Sequence, residues 1–117
     1  MIRDASLADI KEFFSERSLP CPDSLSVDCV VVDELMLIAY IPLSVDDCEV
    51  HICVKKRGLR HISELISAGI VYLQKQGFAR MTTAIEPKYT TAIKLVERLG
   101  FAFVECYNER NIYTRVL

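Results

Sequence analysis

Thr91-Ala92-Ile93-Lys94-Leu95-Val96-Glu97-Arg98-Leu99-Gly100-Phe101 is the stretch from which the rest of this 117-residue chain can be placed. Ile93, Val96 and Leu99 recur at helical spacing, so one face of a short helix is apolar. Thr90 or Thr91 is the expected N-cap, and Gly100 stands where a helix stops. Downstream, Phe101 to Cys106 and Ile112 to Val116 read as two strands around an Asn108-Glu109-Arg110-Asn111 turn. Upstream lies a strand, Phe78 to Ile85, closed by Pro87. Before it, Ile62, Leu65, Ile66, Gly69, Ile70 and Leu73 form a three-four repeat ending at Gly77, which predicts a helix over residues 60–76.

The first half reads differently. Ser6 is placed to cap an amphipathic helix over residues 7–17, with Ile10, Phe13 and Phe14 on its inner face. Pro20 and Pro22 punctuate a loop. Val27 to Val32, Leu35 to Leu43 and Cys48 to Val54 are apolar, strand-forming runs. Asp33-Glu34 and Ser44-Val45-Asp46-Asp47 join them as polar turns, which makes an antiparallel meander. With Ile2-Arg3-Asp4 as an opening strand, the order is βαβββαβαββ. The expected fold is α/β (α+β), a mixed and mostly antiparallel sheet with helices on both faces. Residues 1–117 form a single domain in this reading, with no repeat, linker or low-complexity segment.

Composition narrows the function classes. Half the chain is hydrophobic, enough for a sizeable core. Fourteen basic residues against sixteen acidic ones give a net charge of −2, with no general electrostatic reason to bind nucleic acid. The longest apolar run, Leu35 to Ile41, falls far short of the roughly 20 residues of a membrane helix, so no membrane partner is expected. Met1-Ile2-Arg3-Asp4 leads into an acidic helix without an apolar signal core, so secretion is not expected. Cys21, Cys29, Cys48, Cys53 and Cys106 contain no CxxC pair. The expectation is reduced thiols in a cytoplasmic setting, with neither a disulfide frame nor a metal site.

Three stretches in this order resemble the GNAT (Gcn5-related N-acetyltransferase) superfamily. Met1-Ile2-Arg3-Asp4-Ala5 and its capped helix look like the family's opening, with the usual second helix abbreviated to the loop 20–26. Glu49 to Leu65 lies where the cofactor motif belongs. Residues 91–101 are similar to the second motif, AIxLYExxGF. The resemblance implies acetyl-CoA as cofactor, its pantetheine arm against a splayed fourth strand and its pyrophosphate on amides at the following helix N-terminus. By similarity, Val54 and Lys56 face the pantetheine, and Leu59, Arg60, His61 and Ile62 supply phosphate-facing amides. The family pattern [Q/R]xxGxG/A appears here as Arg57-Gly58-Leu59-Arg60-His61-Ile62. Arg57 keeps the first place and Gly58 follows it in the turn, but Arg60 and Ile62 stand at the two small-residue places. Small residues belong there because backbone must approach phosphate oxygens closely. Lys55, Lys56, Arg57 and Arg60 either attract the anion by charge or form a solvated helix entrance.

The chemistry is altered too. The family tyrosine that protonates the departing thiolate is replaced by Val96, which has no proton to give. Tyr89 stands at the family's asparagine place. Tyr89, Tyr107 or Tyr113 could substitute for the missing acid, or serve in packing. Glu49, His51 and Cys53 alternate and share one strand face. Glu49 is the first candidate for the base that deprotonates an amine and His51 the second; solubility of a surface strand is the competing explanation. A Cys53–His51 nucleophile lacks a third orienting group. Two functions stand open. One is a weakly active or inactive N-acetyltransferase, whose acceptor would be a small amine or a protein amine. The other is a non-catalytic binding or assembly protein with a protein partner, similar to GNAT-like proteins of tailed bacteriophages and thus a virion component. The C-terminal strand pair could also extend a sheet across a homodimer.

Overall fold

The structure, a computed structural model, describes residues 1–17 and 27–117. The Pro20–Pro22 loop, the abbreviated second helix and Cys21 lie outside the described residues. The strands are β1 (Ile2–Asp4), β2 (Asp28–Val32), β3 (Met36–Pro42), β4 (Asp47–Val54), β5 (Arg80–Ile85), β6 (Ala102–Tyr107) and β7 (Arg110–Val116). The α-helices are α1 (Leu7–Glu16), α2 (Ile62–Lys75) and α3 (Thr90–Arg98). The expected order is therefore the observed one, in a single seven-stranded sheet ordered β1-β2-β3-β4-β5-β7-β6. All neighbours are antiparallel except β4 and β5.

Alternation along β2, β3 and β4 builds a core on each face of the sheet. Val30, Val32, Met36, Ile38, Val50 and Val54 face α2, where Leu65, Ile66 and Leu73 are buried. Cys29, Val31 and Leu37 face α1 and cover Ile10 and Phe13. Gly69 lets α2 sit close to the sheet, since a Cβ there would stand 2.7 Å from Ile38 Cδ1. The Asp33-Glu34 and Asn108-Glu109 turns both hold positive φ at their two central residues, the hand that matches strand twist.

Several boundaries differ from those the sequence suggests. A 3₁₀ segment, Lys56–His61, precedes α2, so the α-helix begins at Ile62 and not at residue 60. Tyr89 is the N-cap of α3 and makes no side-chain capping bond, while Thr90 is the first helical residue. β5 starts at Arg80 because Gly77 and Phe78 are spent closing α2, donating to Gln74 O (3.0 Å) and Leu73 O (3.2 Å). Gly100 and Phe101 close α3 the same way, on Glu97 O and Val96 O. β7 begins at Arg110, so the final turn is two residues long. Among the described residues no helix is long and apolar enough to cross a membrane.

Candidate functional site

β4 and β5 run parallel for three residue pairs only: Asp47 with Arg80, Cys48 with Met81, and Glu49 with Thr82. Asp46 O fixes the start of this pairing by accepting from Ala79 N (2.7 Å) and Arg80 N (3.0 Å), and Thr82 Oγ1 donates to Asp47 Oδ1 at 3.0 Å. Beyond Glu49 the partners diverge. β4 stays on β3 as far as Val54, paired with Met36, while β5 stays on β7 as far as Ile85, paired with Asn111. The gap is a cleft of about 690 Å³ lined by residues 50–54 of β4, Thr83, Ala84 and Ile85 of β5, and the inner faces of α2 and α3. It reaches buried Val50, Ile66 and Phe101. Arg17, His51 and Cys53 line it on the α1 side, and Ile62, Ile66 and Leu99 on the other, so it passes between strands from one face of the sheet to the other.

The candidate bases are neighbours. His51 Nε2 lies 3.2 Å from Glu49 Oε2, within hydrogen-bond reach. His51 lines the cleft; Glu49, at the last paired position before the strands part, does not. If Nε2 carries the proton and donates it to Glu49, Nδ1 is left free to accept one. Cys53 is differently engaged. Its Sγ donates to Phe13 O at 3.7 Å, and burial raises its thiol pKa, which opposes a nucleophilic thiolate. Burial likewise pushes the Cys29 and Cys48 thiols up to about 11.

Of the three tyrosines, Tyr89 alone lines the cleft. Its ring stands under Lys88 Nζ at 5.2 Å, and it is half exposed. Tyr113 is buried on β7 and Tyr107 exposed on β6. Val96 lines the cleft from α3, in the place the resemblance gives to a tyrosine.

The helix entrance is closed on itself. Gly58 N donates to Lys55 O at 2.8 Å, and Ile62 N donates to Leu59 O, as the i to i+3 pattern of a 3₁₀ segment requires. Lys56 N is held by Glu16 Oε2 at 3.1 Å. Lys55 does not face an incoming anion: its side chain is only 6% exposed, pairs with Glu12 and lies over the Phe13 ring at 4.8 Å. Gly58 serves packing, because a Cβ there would stand 3.0 Å from Leu35 Cβ and 3.2 Å from Val54 Cγ1. Val54, Leu59 and Ile62 line the cleft, whereas Lys56, Arg57, Gly58, Arg60 and His61 stand outside its lining. His61 Nδ1 lies 3.4 Å from Glu64 Oε2.

Arg17 and Lys88 are the cleft's two cations, and no carboxylate is among its described lining residues. Neither has a signal in the sequence. Arg17 follows a helix and Lys88 follows a proline, and no local pattern says that positions so far apart in the chain share a cleft. Among the described residues no group of His, Cys, Asp or Glu is placed to hold a metal ion.

No protein-family profile matches this sequence, and no curated protein matches it. Solved structures do. A putative acetyltransferase of the GNAT family from Desulfovibrio desulfuricans aligns with a TM-score of 0.74 at 11% identity, over 99% of this chain and 98% of that one. The GNAT domain of S. lividans PAT aligns with a TM-score of 0.72 at 11% identity, over 99% and 89%. A GNAT superfamily phosphinothricin acetyltransferase from Sinorhizobium meliloti, solved in complex with AcCoA, aligns with a TM-score of 0.67 at 17% identity, over 100% and 88%. At such identities the likeness establishes the fold, which is that of GNAT domains.

Proposed function

We propose that this GNAT-fold chain binds an acyl-CoA thioester in the β4–β5 fork and transfers the acyl group slowly to an amine. The observation that carries the reading is the fork itself, where three parallel pairs give way to an open cleft with unpaired strand edges on both sides. The edge of residues 50–54 that no longer pairs with β5 is suited to a pantetheine amide chain, and Val54, Leu59 and Ile62 supply apolar walls. Acetyl-CoA would bring the activated carbonyl carbon. Phosphate binding is expected to be weak. Of the expected phosphate-facing amides that of Ile62 already has a partner, as do the neighbouring amides of Lys56 and Gly58, so the side chains of Lys56, Arg57 and Arg60 supply much of the attraction by charge.

In the transfer, the amine nitrogen forms its bond to the carbonyl carbon as the C–S bond breaks. The amine proton passes to His51, held in orientation by Glu49, and the departing thiolate takes a proton from Tyr89 or water. Glu49 taking the proton directly is the alternative. With Val96 at the acid's usual place, turnover loses about 10²–10⁴-fold relative to a well-placed general acid. The buried, free thiols Cys29 and Cys48 support a cytoplasmic setting.

Calorimetric titration with acetyl-CoA tests binding, and acetyl-CoA consumption over polyamines, amino acids and lysine peptides tests transfer. Weak binding with slow turnover, abolished in His51→Asn and reduced in Glu49→Gln, is the expected outcome. Loss in Glu49→Gln but not in His51→Asn assigns the base to Glu49. Binding without any turnover favours a second reading, a non-catalytic binding or assembly protein, of a virion or otherwise. The self-bonded 3₁₀ entrance supports that reading.

A further inference from the structure

The lining of the cleft is more apolar than a two-carbon acyl group requires: Val50, Ile62, Ile66, Val96, Leu99 and Phe101 contribute no polar side-chain atom. A smaller void of about 10 Å³ beside Gly69 shares Val50, Ile52 and Ile66 with the cleft, so apolar wall continues behind it. Water in such a place finds few partners, and an alkyl chain displaces it favourably. The polar side chains of the lining are the hydroxyls of Thr83, Tyr89, Thr90 and Thr91, the Cys53 thiol, and Arg17, His51 and Lys88, with no carboxylate among the described residues. A largely apolar lining that also carries cationic groups complements an anionic ligand with an alkyl tail.

We propose that the cleft prefers thioesters of medium-length straight acyl chains over acetyl, with Val96 as the residue that makes room for the chain. The inference rests on the thioester reading above. Valine at this position contributes no hydroxyl that would need a partner, and it leaves free the space that a tyrosine ring would fill. Chain length is then read by burial alone, so each methylene accommodated raises affinity by about fourfold until the space is full.

The test is calorimetric titration of the whole chain with CoA, acetyl-CoA, butyryl-CoA, hexanoyl-CoA and octanoyl-CoA, repeated on Val96→Phe. Affinity rising stepwise beyond acetyl in the wild type, with a flat series in a Val96→Phe protein that keeps its circular dichroism, is the expected result. Equal affinity for CoA and every acyl form, or affinity falling with length, overturns the chain-length preference and leaves the thioester reading intact. Binding of none of them overturns both. A rising series that persists in Val96→Phe removes Val96 from the proposal. Should Val96→Phe misfold, the wild-type series alone decides the preference.

Discussion

At the scale of single residues, glycine and lysine positions have roles that their types alone do not reveal. Gly58 sits in a basic turn where a phosphate-approach role is the obvious reading, yet its missing side chain is what lets the 3₁₀ segment lie against Leu35 and Val54. Gly58→Ala should therefore destabilise the fold by roughly 1–3 kcal/mol, since Leu35 Cβ and O belong to or adjoin the backbone and cannot swing aside. Urea unfolding measures this; an unchanged midpoint would show that the turn relaxes freely. Lys55 likewise reads as part of a phosphate-attracting run, but its ammonium is turned under α1 onto Glu12 and Phe13. The strand alternation that places Glu49, His51 and Cys53 on one face is legible in sequence, and the structure agrees. What alternation does not tell is that, although both line the cleft, the Cys53 thiol is held under α1 by Phe13 O while His51, two residues earlier, is paired with Glu49.

At the scale of elements, α1 is fastened at both ends by charge. Arg3 of β1 makes a two-pronged contact with Asp9 (2.8 Å on each oxygen) and another with Glu34 in the β2–β3 turn. Asp9 also accepts from Ser6 N, completing a capping box. The Arg3 hydrogen bonds, with help from Ser6, hold the Asp9 carboxyl well below the usual carboxylate range, and Arg3 also lowers that of Glu34. A depressed folded-state pKa means that this stabilisation is fully present above the unfolded value and is lost as pH falls towards the folded one. Arg3→Met should thus be less stable than wild type at about pH 7, with the gap narrowing once pH drops below about 4. Denaturation midpoints across that range check it, and a gap that does not change with pH would remove these carboxylates as its source. At the other end of α1, Glu12 and Glu16 hold Lys55 and the Lys56 amide, so this helix anchors the entrance of α2 from across the sheet.

At the scale of the whole molecule, the two cores share β2, β3 and β4, whose successive residues point alternately into one and the other. Neither core can be lost while those strands persist, so the domain should unfold in one cooperative step. Far-ultraviolet circular dichroism and tyrosine fluorescence, the chain having no tryptophan, should give coincident urea transitions; separate midpoints would divide the fold into independent halves. The order of elements and their buried faces were set by the sequence alone, because periodicity, turn residues and helix-stopping glycines act over a few neighbouring positions. Gly77 and Gly100, both at positive φ, end helices where the pattern says they should. The boundaries that shifted, at Ile62, Tyr89 and Arg80, are those where short-range backbone bonds (the 3₁₀ turns before Ile62, Tyr89 N on Glu86 O, and the closure of α2 by Gly77 and Phe78) decide the exact residue. The cleft was decided only by tertiary structure. It exists because β4 and β5 part after Glu49, each kept by its other partner, and because α3 brings Tyr89 and Val96 opposite Val50 to Val54. The anchoring of the entrance on α1 has the same origin. Glu12 and Glu16 meet Lys55 and Lys56 from 43 and 40 residues away, and contacts at such separations follow from how the sheet twists and stacks its helices, which no run of neighbouring residues encodes.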